Sequence, residues 1–333
     1  YAYPILLAFL IAIAALVTAH ALFGRDRLPV TSRFLRGIYR AGGLFGYALL
    51  IVTVVQFAIR GEITGFLPGG SAEEIDPAAP DIWIVLLDGY PRADMLASEW
   101  DYTDPGIEEG LEDLGFVVSD SARTNYNATK LTLPALFNMA LLSDVEPWSD
   151  YYPPDRAPAA ERTIALQHNR AFDLLREHGY RITSISAGYT EPDIRAVDEF
   201  IDTGTPDVVE FNILAMTAFG AIAQWLDPLF GERQVGERVE RNLAALEELA
   251  AAASERPRFV FAHLPAPHPP YAFATVDRPT ISLLTMFFYR EGLLGEDLMK
   301  QTYREHVAGL NQRMLETLEK VVEQVGDEAV IVV

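Results

Sequence analysis

Pro80-Asp81-Ile82-Trp83-Ile84-Val85-Leu86-Leu87-Asp88-Gly89-Tyr90 is the stretch on which the reading of the fold turns. Ile82 to Leu87 is a run of six apolar residues with no polar alternation, so it predicts a strand buried on both faces, as in the middle of a parallel sheet. A carboxylate and a glycine follow at once. In open α/β sheets ligands gather outside the carboxyl ends of such strands, which puts Asp88 where chemistry would be done. An Asp-Gly pair is also a common turn, and on these residues alone both readings stand.

Downstream of that strand the pattern alternates. Asp104 to Leu114 reads as a short helix stopped by Gly115, with Phe116-Val117-Val118 as a strand. His168 to His178 reads as a helix stopped by Gly179 and followed by a strand from Tyr180 to Ile185. Gly236 to Ala253, rich in Ala, Leu, Glu and Arg, predicts a helix leading into a strand at Arg258 to Ala262, and Gln301 to Val325 a long helix ahead of a strand at Ala329 to Val333. Strands alternating with helices of this length imply an α/β fold, a mostly parallel sheet covered by helices on both faces.

Upstream the chain changes character. Ile5 to Phe23 is apolar except for Thr18 and His20, and Ala41 to Ile59 is interrupted only by Thr53 and Gln56. Each run approaches the roughly 20 residues that span a bilayer as a helix. Between them, in residues 24–40, Arg25, Arg27, Arg33, Arg36 and Arg40 face the single acid Asp26. By the positive-inside rule this loop is cytoplasmic, so everything after Arg60 is expected outside the cytoplasm. Two spans flanking a basic loop do not resemble a signal peptide, and His20 near a span end reads as a tolerated polar residue. Residues 61–80, rich in Gly, Pro, Ala and acid, read as a linker to a domain occupying 81–333. The apolar stretch Phe211 to Phe230 is broken by Asn212, Gln224, Asp227 and Pro228, and suits a helix packed on the domain or lying on a membrane surface.

The net charge of −21 is distributed unevenly: residues 1–60 carry +5 and the remainder −26. Nucleic acid would be repelled by so acidic a body. Cysteine is absent, which excludes it as nucleophile or metal ligand, and a core of this size needs no disulfides. The first methionine is Met95 and the final residues stop inside an apolar run, so the sequence reads as a fragment with residues missing at both ends.

Two further stretches concentrate chemistry. Ala122 to Met139 (ARTNYNATKLTLPALFNM) is a polar loop running into a helix that starts near Thr129, with Pro134 within or just beyond its first turn. Backbone N–H groups at such a start favour an anion held over a hydroxyl, although on these residues alone an N-capping Thr129 is the simpler reading. Asn127-Ala128-Thr129 also matches a glycosylation sequon, a short and common pattern. Phe259 to Tyr271 (FVFAHLPAPHPPY) is a buried strand that delivers His263 into a stiff proline-rich turn holding His268. Histidine there could serve metal or proton chemistry or simply pack in the loop.

Taken in this order behind two apolar spans, the three stretches resemble the membrane-anchored, sulfatase-like branch of the alkaline phosphatase superfamily, which includes lipoteichoic acid synthases and the phosphoethanolamine transferases of bacterial lipid A. The resemblance covers roughly residues 81–333. It implies that Asp88 binds a divalent metal and that Thr129, ahead of Thr132-Leu133-Pro134, is the nucleophile and a metal ligand. It further implies that His268 contacts the transferred group or a second metal, with His263 at the strand end contributing to substrate binding. The metal would be manganese, zinc, magnesium or calcium. Lys130 and Arg123 are nearby cations that could hold the anion or simply be solvated. The family's remaining ligands lie in an Asp-His-Gly segment after a final apolar strand, and this sequence stops within such a strand, so the fragment is expected to lack part of its metal site and to be inactive. Sulfatases proper use a formylglycine made from Cys or Ser, and the threonine here speaks against sulfate ester hydrolysis.

The mechanism expected from these residue types is metal-assisted attack by Thr129, capture of a phospho-substituent as a covalent threonine intermediate, and its release to an acceptor. The leading expectation is a multi-pass cell-membrane transferase, its catalytic domain extracytoplasmic, carrying a phospho-substituent from a membrane lipid donor to a cell-envelope glycan or lipid. A sulfatase-like or phosphodiester hydrolase is the runner-up, and a non-catalytic envelope binding protein the third reading.

Overall fold

Ile82–Leu87 forms strand β1, and its neighbours are Arg258–Leu264 (β4) on one side and Val330–Val332 (β5) on the other. Arg181–Ile185 (β2) and Glu199–Ile201 (β3) complete a five-stranded, all-parallel sheet in the order β3-β2-β4-β1-β5. The computed structural model describes residues 79–103, 105–146, 148–150, 156–188, 193–204, 232–277, 295–326 and 328–333, all within the unit Gly69–Val333. The apolar runs at 5–23 and 41–59, the basic loop at 24–40, residues 61–78 and the stretch at 211–230 lie outside the described residues. Among the described residues no helix is long and apolar enough to cross a membrane.

The unbroken apolar character of β1 follows from its two buried faces. Alternate side chains point to opposite sides of a strand. Ile82, Ile84 and Leu86 join a cluster with Phe259 and Phe261 of β4, whereas Trp83, Val85 and Leu87 join another with Val260, Ala262 and Leu264. The first face is covered by Thr129–Asn138 (α3) and Arg170–Glu177 (α5), with Leu166 from the end of Ala159–Gln167 (α4). Here Phe137 of α3 meets Phe172, Phe259 and Phe261 edge-on, with ring centroids 5.0 to 6.4 Å apart. The second face is covered by Glu232–Ala251 (α6) and the long helix Glu296–Val325 (α7), through Val239, Leu243, Leu246, Leu310, Met314 and Leu318. Each fully buried side chain of this size contributes roughly 1.5–3 kcal/mol of transfer free energy.

The chain visits both faces between β1 and β2. Ala93–Trp100 (α1) and Pro105–Asp113 (α2) pack on the α7 side, where Leu111 and Leu114 reach the second cluster and Leu96 meets Tyr303 and Val307. Residues 116–128 then bring the chain to the first face, where α3 begins. The strand expected at Phe116-Val117-Val118 does not form. Gly115 turns the backbone at φ +89°, Phe116 packs against the second core cluster, and Val117 is left 97% exposed, so the trio bridges two helices without entering the sheet.

The helix expected from His168 begins instead at Arg170, because the Asn169 side chain accepts the Phe172 N–H at 2.9 Å and caps it. The preceding residues form the separate helix α4, which sequence periodicity did not resolve from loop.

Candidate functional site

Strand parity sets the site. Asp88 follows Leu86 by two residues and His263 follows Phe261 by two, so both project toward the first face, the one on which α3 starts. The β1–β4 register pairs Leu87 with Leu264, and the Asp88 N–H continues the ladder to the Leu264 carbonyl at 3.0 Å. The Asp-Gly turn anticipated at this point is also present, with Gly89 at φ +82°. Turn and site are therefore not alternatives here: the turn directs the carboxylate.

Thr129 is the first residue of α3, and its hydroxyl donates to Asp88 Oδ1 at 3.0 Å. It does not cap the helix. The N-cap is Ala128, which offers no side-chain bond, so the Thr129 oxygen stays turned to the carboxylate. Thr124 and Thr132 are engaged elsewhere: both hydroxyls donate to the Tyr126 carbonyl, at 2.8 and 3.1 Å, bracing the loop that presents Thr129. Pro134 falls in the second turn of α3, where its missing N–H leaves the Lys130 carbonyl without the usual helical donor.

His263 is 1% exposed and neither ring nitrogen makes a hydrogen bond; Nε2 lies 3.7 Å from Asp88 Oδ2. A buried imidazole without a hydrogen-bond partner is costly, and the nearest charged group to it is the Asp88 carboxylate. The half-buried Asp88 carboxyl feels opposing forces. Burial pushes its pKa up, but the His263 imidazole beside it, the charge of His268 and the Thr129 hydroxyl outweigh that and leave it lowered. An acid shifted this way is ionised at neutral pH, which suits a ligand or anchor better than a proton acceptor.

His268 returns to the same turn. Its N–H donates to the Asp88 carbonyl at 2.8 Å, and its backbone lies 3.8 Å from where a side chain on Gly89 would begin. Its Nδ1 is 2.9 Å from the Pro269 carbonyl oxygen. Because a carbonyl only accepts, that contact assigns the ring proton to Nδ1. The loop beyond is fastened to α7: Phe273 N–H donates to His306 Nδ1 at 3.0 Å, and Glu305 accepts from Thr275 and Val276. Tyr303, stacked on Trp100 with centroids 4.0 Å apart, donates to the Gly89 carbonyl at 3.3 Å.

The structure thus gathers Asp88, Thr129, His263 and His268. Lys130 and Arg123 are exposed, and neither makes a hydrogen bond or ion pair to the carboxylate. Sequence reasoning overlooked His306, Tyr303 and Glu305; their signal was faint, since a lone polar residue on a long helix rarely announces which loop it will hold. Comparison with protein-family models, curated proteins and solved structures finds no match to this chain. The site must therefore be judged on its own chemistry. Asp88 and Thr129 offer converging hard oxygen donors and His263 an unspent nitrogen, a set that suits a divalent cation. Among the described residues no group of three His, Cys, Asp or Glu side chains gathers to hold one unaided, so further donors would have to come from elsewhere.

Proposed function

We propose that this chain is a membrane-anchored, divalent-metal-dependent transferase, similar to the sulfatase-like branch of the alkaline phosphatase superfamily. It would move a phospho-substituent from a membrane lipid donor to a cell-envelope glycan or lipid on the extracytoplasmic side. What supports the reading is one contact: the hydroxyl of the first residue of α3 resting 3.0 Å from an ionised carboxylate at the carboxyl end of a central parallel strand. A hydroxyl at a helix start, where unpaired N–H groups converge, is well placed to meet an anionic phosphoryl group.

Asp88 and Thr129 would hold the cation. When bound, it lowers the hydroxyl pKa of Thr129 and neutralises charge on the transferred oxygens. Asp88 orients the threonine oxygen toward phosphorus. Thr129 Oγ1 forms its bond to phosphorus as the bond from phosphorus to the donor's leaving oxygen breaks, and its proton passes to solvent. His268, in its imidazolium form with Nδ1–H tied to the Pro269 carbonyl, gives its Nε2 proton to that leaving oxygen. In the second half-reaction an acceptor hydroxyl gives its proton to His268 and takes the phosphoryl group from Thr129, whose departing oxygen takes a proton back from solvent.

The test is a trapping experiment. The completed protein, extended beyond Val333, is incubated in vesicles containing a phospholipid donor and a divalent metal, digested, and its peptide masses read. The adduct is expected on the peptide holding Thr129. Thr129→Ala is expected to lose it and to lose turnover by about 10³-fold or more, with an unchanged melting temperature. Thr129→Ser keeps part of both. An adduct on another residue, or full turnover in the alanine variant, overturns the assignment. Release to water rather than to a glycan or lipid would make the enzyme a hydrolase.

A further inference from the structure

Two segments that carry polar groups of the site are held from one side of α7. Tyr303, His306 and Asn311 lie on the same broad face of that helix. The Tyr303 hydroxyl donates to the Gly89 carbonyl at 3.3 Å, and the Tyr90 hydroxyl donates to the Asn311 side-chain oxygen at 2.8 Å. His306 Nδ1 accepts the Phe273 N–H at 3.0 Å. The first two contacts hold the turn that follows Asp88, and the third holds the loop that follows His268.

Tyr303 touches both segments itself. Its ring meets Tyr271 of the proline-rich loop edge-on, with centroids 5.8 Å apart and planes at 87°, and its other contact is the stack on Trp100. A phenylalanine would supply both ring contacts. The hydroxyl adds a buried polar group that costs free energy unless it is bonded, and its acceptor is the carbonyl of a glycine turn. That turn is weakly braced from within. Gly89 at φ +82° has no Cβ to restrict it, and the Tyr90 N–H reaches the Leu87 carbonyl only at 3.4 Å. One peptide unit back, the Asp88 carbonyl accepts the His268 N–H at 2.8 Å, so rotation at Gly89 would disturb the link between carboxylate and imidazole segments. Burial and the neighbouring Tyr90 and Tyr271 phenols push the Tyr303 phenol up, so it keeps its proton and remains a donor.

We propose that Tyr303 is a positioning residue for the site: its hydroxyl fixes the Asp88-Gly89-Tyr90 turn and its ring fixes the His268 loop, so that the two keep one relation to each other. The role rests on reading Asp88 and His268 as parts of one site. Tyr303 touches no reacting atom. It acts through the Gly89 carbonyl on one side and the Tyr271 ring on the other.

The measurement is the backbone amide spectrum of full chain labelled with ¹⁵N-histidine, at one fixed pH and without added metal. The chain's six histidines are assigned by single substitution. Tyr303→Phe removes the hydroxyl and keeps both ring contacts. In that variant the His268 amide proton is expected to move upfield by more than a linewidth, the direction of a lengthening bond to the Asp88 carbonyl, while the signals of His168 and His178 stay put. A purely structural role would lower the melting temperature without moving His268 selectively. An unmoved His268 signal, or an equal movement of all six, overturns the proposal. Should Tyr303→Phe not fold, Trp100→Leu removes the ring on which Tyr303 stacks and is expected to move the His268 signal the same way; an unmoved signal there overturns it. Failure of the transferase reading is recognised separately, as absence of the Thr129 adduct while the His268 signal still responds.

Discussion

The two ends of β1 carry one aspartate each, and the protein treats them in opposite ways. At the amino end Asp81 is saturated. It accepts the Arg258 N–H and Nε–H, each at 2.7 Å, and its Oδ2 lies 2.6 Å from Nη2. The same guanidinium donates to the Leu249 and Ala252 carbonyls at the end of α6 and lies over Trp83 at 5.3 Å. Every strong donor there has a protein acceptor, and a fork of this kind is suited to joining two strands and a helix. At the carboxyl end Asp88 has one hydroxyl at hydrogen-bond distance and an imidazole at 3.7 Å whose nitrogens are unspent. A carboxylate whose partners are all internal holds a fold together. One with few internal partners contributes less to holding the fold together.

The contrast can be broken most sharply at the saturated end. Arg258→Ala leaves the Asp81 carboxylate partly buried and unpaired, and should cost about 3–5 kcal/mol. Urea unfolding measures it; a loss below about 1 kcal/mol would mean that the clamp contributes little. The variant's remaining folded fraction should still give the Thr129 adduct, since the clamp lies at the far end of the strand.

A smaller effect is expected at the turn between carboxylate and proline loop. At Gly89, φ is +82°, and an added Cβ would sit 3.8 Å from His268, an ordinary contact. Gly89→Ala should therefore cost about 1–2 kcal/mol through backbone strain alone, without a clash. Should it be neutral by urea unfolding, the turn is not held in that conformation.

The smallest effect is a pH dependence that belongs to the open end. A carboxyl whose folded pKa is lowered binds fewer protons when native, so it stabilises the fold fully above its unfolded pKa. That contribution is lost as pH falls through the folded value, here below the ordinary 3.8. Asp88→Asn removes it. The stability gap between wild type and Asp88→Asn should shrink as pH is lowered from about 6 toward about 3. A gap independent of pH would show that His263 and Thr129 do not stabilise the ionised form.

How much was legible in advance depends on how local the cause was. The apolar run Ile82–Leu87, the strand bearing His263 and the α3 start at Thr129 could be read because each is written in consecutive residues: an unbroken apolar run, a polar loop meeting a periodic one, a glycine stop. Phe116–Val118 was misread for the same reason in reverse. Three consecutive apolar residues suit a strand locally, but a strand needs a neighbour to pair with, and these three bridge two helices instead. Ser186 and Asp193 carried no motif at all, since what joins them is a hydroxyl donating to a buried carboxylate across the segment that follows β2.

By itself, then, the sequence determined the alternation of buried strands and helices, the carboxylate at the end of β1, the threonine at a helix start and the two histidines around a proline turn. Each follows from periodicity, turn chemistry or backbone restriction over a few residues. Only the tertiary structure decided that Thr129 would face Asp88 rather than cap its own helix, that His263 would be buried with neither nitrogen hydrogen-bonded, and that the end of β2 would lie beside it. The physical reason is that strand order and register choose which side chains become neighbours across gaps of 41 residues or more, and no local preference encodes that choice.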